Sequence, residues 1–269
     1  MYTIAVVNQK GGVGKTTTTV ALATFLHHRG YRVLVVDLDA QMNATKWMLG
    51  RQLSQDEASV YDSLVAKKKD RTGAADWPLA DLIETSHIGF DFVPANMDLS
   101  SADAELANNL FLLNDRLEEV EASETHAYDF CLIDCPPSLG TLVMLGLTAA
   151  DGMIVPIKAD EFSMDGLGQL IKTAKTIKRV NQDLSILGIL MNNLDWRFGQ
   201  VKEGVAQLED AYGSKLFSTK IPLRARIVEA TAGRDLHEHA SGTDVRAYYN
   251  ALVDEVVERT GVGMPVPAG

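Results

Sequence analysis

The stretch Gln9-Lys10-Gly11-Gly12-Val13-Gly14-Lys15-Thr16-Thr17 decides the fold of this chain. It follows an apolar, β-branched run and opens a run with helical spacing, so it joins a strand to a helix. Its three glycines let backbone N–H groups turn inward toward a phosphate, and the N-terminus of the following helix adds partial positive charge. We therefore predict a phosphate-binding loop in which Lys15 reaches the β- and γ-phosphates and the Thr16 hydroxyl ligates Mg²⁺.

Strand-like and helix-like runs alternate along the chain. The strand-like runs are continuously hydrophobic, as expected for parallel strands that are covered on both faces. This order predicts an α/β fold with a doubly wound, mainly parallel sheet and helices on both faces. We expect one domain across residues 1–269, without an N-terminal helix-turn-helix. The predicted strands are Thr3–Asn8, Arg32–Asp37, Phe90–Pro94, Phe130–Asp134, Gly152–Ile157 and Ile186–Asn192, and the predicted helices include Thr16–His28, Ala102–Glu121, Met164–Val180 and Gln200–Tyr212.

The composition is that of a globular protein, since 46% of the 269 residues are hydrophobic and 23% are charged. No apolar run reaches the roughly 18 to 20 residues of a membrane helix. The N-terminus lacks the basic segment of a signal peptide, and the C-terminal tail has no basic amphipathic anchor. Two cysteines cannot form a disulfide framework. We therefore expect a cytoplasmic protein without a membrane partner.

The charge is unevenly distributed. Residues 1–159 contain 12 Lys and Arg against 21 Asp and Glu, whereas residues 160–249 contain 12 of each. A protein with a net charge of −11 repels nucleic acid over most of its surface. Any contact with DNA would therefore use a local patch, and the neutral segment is where we expect it. A separate basic run, Lys67–Arg71, is typical of an exposed loop.

The phosphate loop departs from the standard pattern G-x-x-x-x-G-K-[ST], because Gln9 replaces the first glycine and an additional lysine, Lys10, precedes the glycine pair. This is the deviant Walker A motif. From residue 3 to about residue 260 the sequence resembles the ParA/Soj/MinD group of P-loop ATPases, and within that group it is most similar to the short ParA/Soj proteins. The resemblance implies that Lys10 crosses an ATP-dependent sandwich dimer and contacts the phosphates bound by the partner.

Two acidic strand ends resemble the switch segments of that family. Asp39, in Val35–Gln41, would orient the attacking water, accept its proton and contact Mg²⁺ through a water. The family usually has Pro and Gly where this chain has Ala40 and Met42. Asp134 ends a strand that resembles Walker B, and it would hold Mg²⁺ through a coordinated water. For Asp37 a structural role is as well supported as a role at the metal.

The base-binding residues are inferred from the family alone. The resemblance points to Asn192, favoured over its neighbour Asn193, and to Pro222. The segment does not resemble the N-K-x-D motif that binds guanine, which favours ATP over GTP.

Basic residues of the second half form the predicted DNA surface. Lys172, Lys175, Lys178 and Arg179 recur three to four residues apart, so one helical face can present several of them. In the ParA/Soj family such residues bind duplex DNA without sequence preference across the ATP dimer. Contacts to phosphates alone give salt-sensitive binding without base recognition. The candidates are Lys172, Lys175, Lys178, Arg179, Arg197, Lys220, Arg224 and Arg226.

The sequence thus favours a nucleoid-associated partition ATPase whose hydrolysis a ParB-like partner stimulates. Two alternatives remain open: a ParA-like ATPase that positions a protein cargo on the nucleoid, and a nucleotide-switched binding module with little turnover. A further motif, His237-Glu238-His239, is not expected to bind metal, because H-x-H alone lacks additional ligands at a fixed spacing.

Overall fold

The computed structural model describes residues 1–51, 57–65, 77–123, 126–159 and 163–265. Its centre is a seven-stranded sheet with the order β3-β4-β2-β5-β1-β6-β7, in which only β3 and β4 pair antiparallel. The strands are β1 Tyr2–Val6, β2 Val33–Asp37, β3 Glu84–Thr85, β4 Asp91–Val93, β5 Phe130–Asp134, β6 Gly152–Ile157 and β7 Ser185–Met191. The helices are α1 Lys15–His28, α2 Asn43–Leu49, α3 Val60–Val65, α4 Ala102–Leu106, α5 Leu112–Glu121, α6 Thr141–Thr148, α7 Ser163–Ile177, α8 Gly199–Tyr212, α9 Ala225–Ala230, α10 Leu236–His239 and α11 Asp244–Thr260.

The strand period of two residues divides the interior into two hydrophobic cores, one on each face of the sheet. In β1, Ile4 and Val6 belong to one core and Ala5 to the other. The first core is closed mainly by α1 and α11, which contribute residues such as Phe25 and Tyr249, and the second by α5, α6 and α7. Both faces of the strands are therefore buried, which explains their continuous hydrophobicity. The predicted doubly wound α/β fold is confirmed.

The central strands place three chain segments at one edge of the sheet. Strand β1 lies between β5 and β6, and its carboxyl end leads into the glycine loop. In the register of the sheet, Asp134 lies beside Val6 on one side and beside Asp37 on the other. Ligands of open α/β sheets bind outside the carboxyl ends of the strands. This edge is therefore the expected position of a functional site.

Two predicted elements need correction. The helix predicted over Ala102–Glu121 is two helices, α4 and α5, separated by residues 107–111. Asn108 and Asn109 lie in this break, and the Asn109 N–H bonds the Leu106 carbonyl in a turn; asparagine side chains compete with helical hydrogen bonds and favour turns. The short antiparallel strand β3 was not predicted, because two residues carry no recognisable periodicity.

No helix in the described part of the chain combines the length and the hydrophobicity that are needed to cross a lipid bilayer. The basic run Lys67–Arg71 lies outside the described residues.

Candidate functional site

The glycine loop leads directly into the N-terminus of α1. Gly12 and Gly14 have φ angles of 68° and 93°, a left-handed conformation that other residues rarely adopt. No side chain caps the N-terminus of α1, and its first turn contains no acidic residue. The first N–H groups of a helix have no partner within the helix. An anion at this position would receive these hydrogen bonds and the favourable end of the helix dipole.

Asn192 lies behind the loop. Its amide nitrogen donates to the Val13 carbonyl and to the Thr18 hydroxyl, both at 3.3 Å, and its oxygen accepts the Asn193 N–H at 2.9 Å. A Cβ atom at Gly14 would lie 2.4 Å from the Asn192 amide nitrogen, so this close approach requires glycine. Asn192 is 1% exposed.

The role of Asn192 as a base contact stays a prediction. In this structure its amide nitrogen and its oxygen form hydrogen bonds within the protein, and these bonds hold the loop in place. Its neighbour Asn193, the alternative candidate, is half-buried and adopts a φ of 55°. The other predicted base contact, Pro222, is buried and pairs in a short parallel bridge with Leu194. The groove beside this bridge has a volume of about 840 Å³ and includes Trp196 and Leu223 in its lining.

Lys15 is the buried cation of the site. It is 7% exposed, and its Nζ donates to the Lys10 carbonyl at 3.3 Å. Burial lowers the pKa of Lys15, and the nearby carboxylates of Asp134 and Asp39 oppose that shift. The Lys15 side chain thus turns toward the backbone of its own loop, and the carboxylates of Asp134 and Asp39 compensate its charge.

Asp134 and Thr16 form the corner that suits a divalent cation. The Thr16 hydroxyl donates to Asp134 Oδ2 at 2.7 Å, and the Thr19 hydroxyl donates to Asp134 Oδ1 at 3.2 Å. Burial, followed by the charge of Asp37, raises the pKa of Asp134. A hydroxyl beside a carboxylate is the all-oxygen donor set that Mg²⁺ prefers, with water completing its shell. These residues fit the predicted ion, and a bound cation would compensate the buried negative charge.

Asp37 and Asp39 have different surroundings. Asp37 is fully buried and accepts three hydrogen bonds, from the Asp39 N–H and from the N–H and hydroxyl of Thr45. Burial raises the pKa of Asp37 to about 6. Asp39 uses Oδ1 to accept the Gln41 N–H at 3.0 Å. The geometry therefore favours a structural role for Asp37, which joins the strand end to α2.

The turn after Asp39 contains a strained residue. Met42 has a φ of 57°, in the left-handed region where a side chain is unfavourable. This is the position at which the ParA/Soj pattern usually has glycine. The loop thus keeps the glycine-type backbone with a larger side chain, which packs against the adjacent core.

The DNA candidates divide into two groups. The first follows the end of β7, and each of its cations is ion-paired within the chain. Arg224 pairs with Asp244 at 2.6 Å. The remaining pairs are Arg197 with Asp195, Lys220 with Glu209 at 2.8 Å, and Arg226 with Glu229 at 3.2 Å.

The second group belongs to α7 and the turn after it. Lys172, Lys175 and Arg179 are exposed, and no ion pair involves them in the part of the chain that the structure describes. Lys178 is also exposed, but its Nζ donates to the Leu184 carbonyl at 3.0 Å. The helix was predicted to extend to Val180 and ends at Ile177.

Leu184, which Lys178 contacts, precedes β7 and Arg197 follows it, so the two ends of this seven-residue strand lie roughly 20 Å apart. Lys172 and Lys175 of α7, together with Arg179 in the turn after it, form what we call the basic stripe. Among the described residues, these candidates are available for phosphate contacts without breaking an ion pair.

Sequence reasoning missed three polar residues that hold the site together. Asn8 donates its amide to the Pro156 carbonyl at 2.7 Å and accepts the Lys10 N–H at 2.9 Å. Thr19 bonds Asp134, and Thr45 bonds Asp37. The signal for Asn8 was a polar residue at the end of an apolar strand. Nothing in the spacing of Thr19 or Thr45 indicated their partners.

Comparisons with known proteins agree with this geometry. A family model described as an AAA domain matches residues 1–186. The sporulation initiation inhibitor protein Soj of Bacillus subtilis is 37% identical over 229 residues, covering 84% of this chain and 86% of that protein. The chromosome-partitioning ATPase Soj of Thermus thermophilus is 37% identical over 258 residues, covering 95% of each.

A solved structure shares the whole fold. It is described as cobyrinic acid a,c-diamide synthase from Mycobacterium smegmatis with bound ADP and magnesium, and it has a TM-score of 0.76 and 29% identity to this chain, with all of both chains covered. The similarity therefore includes the second half of the chain, beyond residue 186.

Proposed function

The chain belongs to the ParA/MinD family of P-loop ATPases, and we propose that it is a partition ATPase that hydrolyses ATP to ADP and phosphate with Mg²⁺. Its similarity to the Soj proteins, one of which is a chromosome-partitioning ATPase, supports this function. The solved synthase structure with ADP and magnesium supports the same ligands. The proposal extends to an ATP-dependent dimer that binds DNA and is stimulated by a ParB-like partner.

One observation carries the nucleotide assignment. The uncapped N-terminus of α1, buried Lys15 and the Thr16–Asp134 corner all meet at the carboxyl edge of the sheet. Phosphates require donors and positive charge, whereas Mg²⁺ requires hard oxygen ligands. This edge provides both, because the fold brings Asp134 to Thr16 although they are 118 residues apart in the chain.

The residues divide the chemistry of hydrolysis among them. Backbone N–H groups of the glycine loop and Lys15 would bind and orient the phosphates. Thr16 and Asp134 would hold Mg²⁺, which neutralises charge on the β- and γ-phosphate oxygens. Asp39 would orient the attacking water beyond the γ-phosphate and accept its proton. Asn192 would keep the loop in the binding conformation by holding Val13 and Thr18.

Dimerisation would make Lys10 part of the partner's site. Lys10 is half-buried, and its N–H is held by Asn8 while its carbonyl accepts Lys15 Nζ. Its backbone is therefore fixed beside the phosphate position. A lysine acting from the opposite subunit would make hydrolysis depend on dimerisation, and monomers would hydrolyse slowly.

DNA binding would use the basic stripe of each subunit. Two stripes in one dimer bind a polyanion more tightly than one, because linked contacts act at high effective concentration. Phosphate contacts alone give binding that is independent of sequence and falls steeply with salt. ATP binding would thus load the protein on nucleoid DNA, and hydrolysis would release it.

Two variants test the catalytic roles. We expect Lys10→Ala to retain nucleotide binding but to lose DNA- and partner-stimulated phosphate release, and Asp39→Ala to form an ATP dimer that stays on DNA. Lys202→Ala, an exposed lysine of α8, is the matched control. Phosphate release and sedimentation with ATP or ADP measure both effects. Normal stimulated turnover in Lys10→Ala, or rapid hydrolysis by Asp39→Ala, would contradict these roles.

A further inference from the structure

A cluster of histidines and carboxylates lies far from the phosphate loop. His28 ends α1, and the chain of α10 brings His237 and Glu238 against it. One potential ligand atom from each of these three residues lies within 4.8 Å of the other two. Because α1 has 14 residues, this cluster lies roughly 20 Å from the phosphate position. It is therefore separate from the site that binds nucleotide in our proposal.

His28 has the environment of a metal-binding histidine. Its Nε2 lies 2.9 Å from Asp235 Oδ2, which fixes one ring nitrogen against a carboxylate. Histidine ligands of metals usually have such a carboxylate on the nitrogen that does not face the ion. Asp235 is itself fixed, since its other oxygen accepts the Glu238 N–H at the start of α10.

His237 and Glu238 complete the set. The His237 Nδ1 lies 3.1 Å from Glu238 Oε1, and the His237 ring stacks on the His28 ring with a centroid distance of 4.0 Å. Coordination by both rings requires one of them to rotate about its Cβ–Cγ bond. Both side chains reach the surface, with exposed fractions of 27% for His28 and 21% for His237.

The H-x-H motif itself does not form this cluster. His239 lies 2.9 Å from Glu229 and 3.5 Å from an Arg234 nitrogen. The second histidine of the cluster comes instead from a position 209 residues earlier in the chain. H-x-H alone offers no further ligand at a fixed spacing, and the fold adds His28 beside His237.

The positive charge of Arg246 opposes the binding of a cation at this cluster. Its Nη2 lies 3.2 Å from His237 Nδ1 and 3.3 Å from Glu238 Oε1, and its Nε donates to the His237 carbonyl. The guanidinium therefore occupies the approach to two of the three ligands. A metal ion must therefore compete with the Arg246 guanidinium for Glu238, so removal of the Arg246 charge should strengthen metal binding.

We propose that His28, His237 and Glu238 bind one divalent transition-metal ion of the Zn²⁺ class, with Asp235 orienting His28. Two imidazoles and one carboxylate are ligands that Zn²⁺ accepts. The ion would link the C-terminus of α1 to α10 and would stabilise this end of the molecule. The site does not depend on ATP hydrolysis, so it is independent of the proposed function.

Calorimetric titration of the chelator-treated, full-length protein with ZnCl₂ tests the proposal. Millimolar Mg²⁺ is included so that the carboxylates near the phosphate loop are occupied. We expect one saturable equivalent of Zn²⁺, and we expect visible d–d absorption when Co²⁺ replaces Zn²⁺. Glu238→Gln, at a position where the side chain is 66% exposed, should weaken binding by at least about tenfold without affecting folding. His28→Gln should weaken it further.

Two further variants separate this site from unspecific binding. His239→Gln is the matched control, and its Zn²⁺ affinity should equal that of the wild type. Arg246→Gln should bind Zn²⁺ more tightly, because it removes the competing cation. Absence of a saturable equivalent in the wild type, or unchanged affinity in both Glu238→Gln and His28→Gln, would overturn the proposal.

Discussion

The phosphate loop and the basic stripe of α7 are both regions of positive charge, but the chain builds them in different ways. In the loop, one lysine is buried at 7% exposure and is compensated by Asp134 and Asp39. In the stripe, three cations are exposed, and the described part of the chain pairs none of them with a carboxylate. The first arrangement suits a small anion held at one position, and the second suits a long polyanion with many phosphates.

This difference explains why the two sites were unequally predictable. The loop residues are consecutive, and their function follows from backbone conformation and a helix end, which local sequence determines. The DNA candidates are scattered, and their availability depends on partners that only the fold supplies. Arg224 and Asp244 are 20 residues apart in the chain and form an ion pair.

The largest expected effect comes from removing the buried cation. Lys15→Ala should lower kcat/KM for ATP by at least about 100-fold, because it removes a buried positive charge that is held in a fixed position at the phosphates. Steady-state phosphate release measures the loss, with Lys202→Ala as the control. Turnover within a few-fold of the wild type would show that the loop is not the catalytic phosphate site.

The next effect concerns the residue behind the loop. Asn192→Ala removes the hydrogen bonds of the Asn192 amide to the Val13 carbonyl and the Thr18 hydroxyl. We therefore expect the free energy of unfolding to fall by about 1–3 kcal/mol, and we expect KM for ATP to rise. Urea denaturation and ATP titration give the two values. Lys202→Ala, at an exposed position of α8, is the control. Equal effects of the two changes would remove the special role of Asn192.

A triple substitution tests the exposed cations. Lys172→Gln, Lys175→Gln and Arg179→Gln together should leave basal ATP hydrolysis unchanged and lower DNA affinity. The slope of log K against log salt should decrease by up to about 0.9 for each lost phosphate contact. Fluorescence anisotropy with duplex DNA at several salt concentrations measures the slope. An unchanged slope would mean that DNA lies elsewhere on the protein.

The smallest effect comes from releasing a paired cation. Asp244→Asn removes the carboxylate from Arg224, so Arg224 becomes available and one negative charge disappears. We expect DNA affinity to rise by roughly two- to fivefold, consistent with the modest strength of surface ion pairs. Glu209→Gln, which releases Lys220 in the same way, provides a second case. A fall in affinity in both variants would show that the ion pairs themselves build the DNA surface.

The positions of most central elements followed from the sequence. Strands β5 and β6 have the predicted bounds, and β1, β2, β4 and β7 begin and end within one or two residues of them. The break between α4 and α5 was missed because the helical spacing of the hydrophobic residues continues through it, whereas Asn108 and Asn109 favour a turn. Asn192 was predicted to lie near the nucleotide. Its hydrogen bonds to Val13, Thr18 and Asn193 could be recognised only from the folded structure. The His28–His237 contact joins residues 209 positions apart, a pairing that no local pattern encodes.

The most direct test of the account is binding to nonspecific duplex DNA with ATP, with ADP and without nucleotide, over a series of salt concentrations. If ATP occupancy of the phosphate loop controls a dimer that carries two basic stripes, binding will require ATP and will fall steeply with salt. Equal binding in all three states, or no binding in any of them, would contradict that coupling.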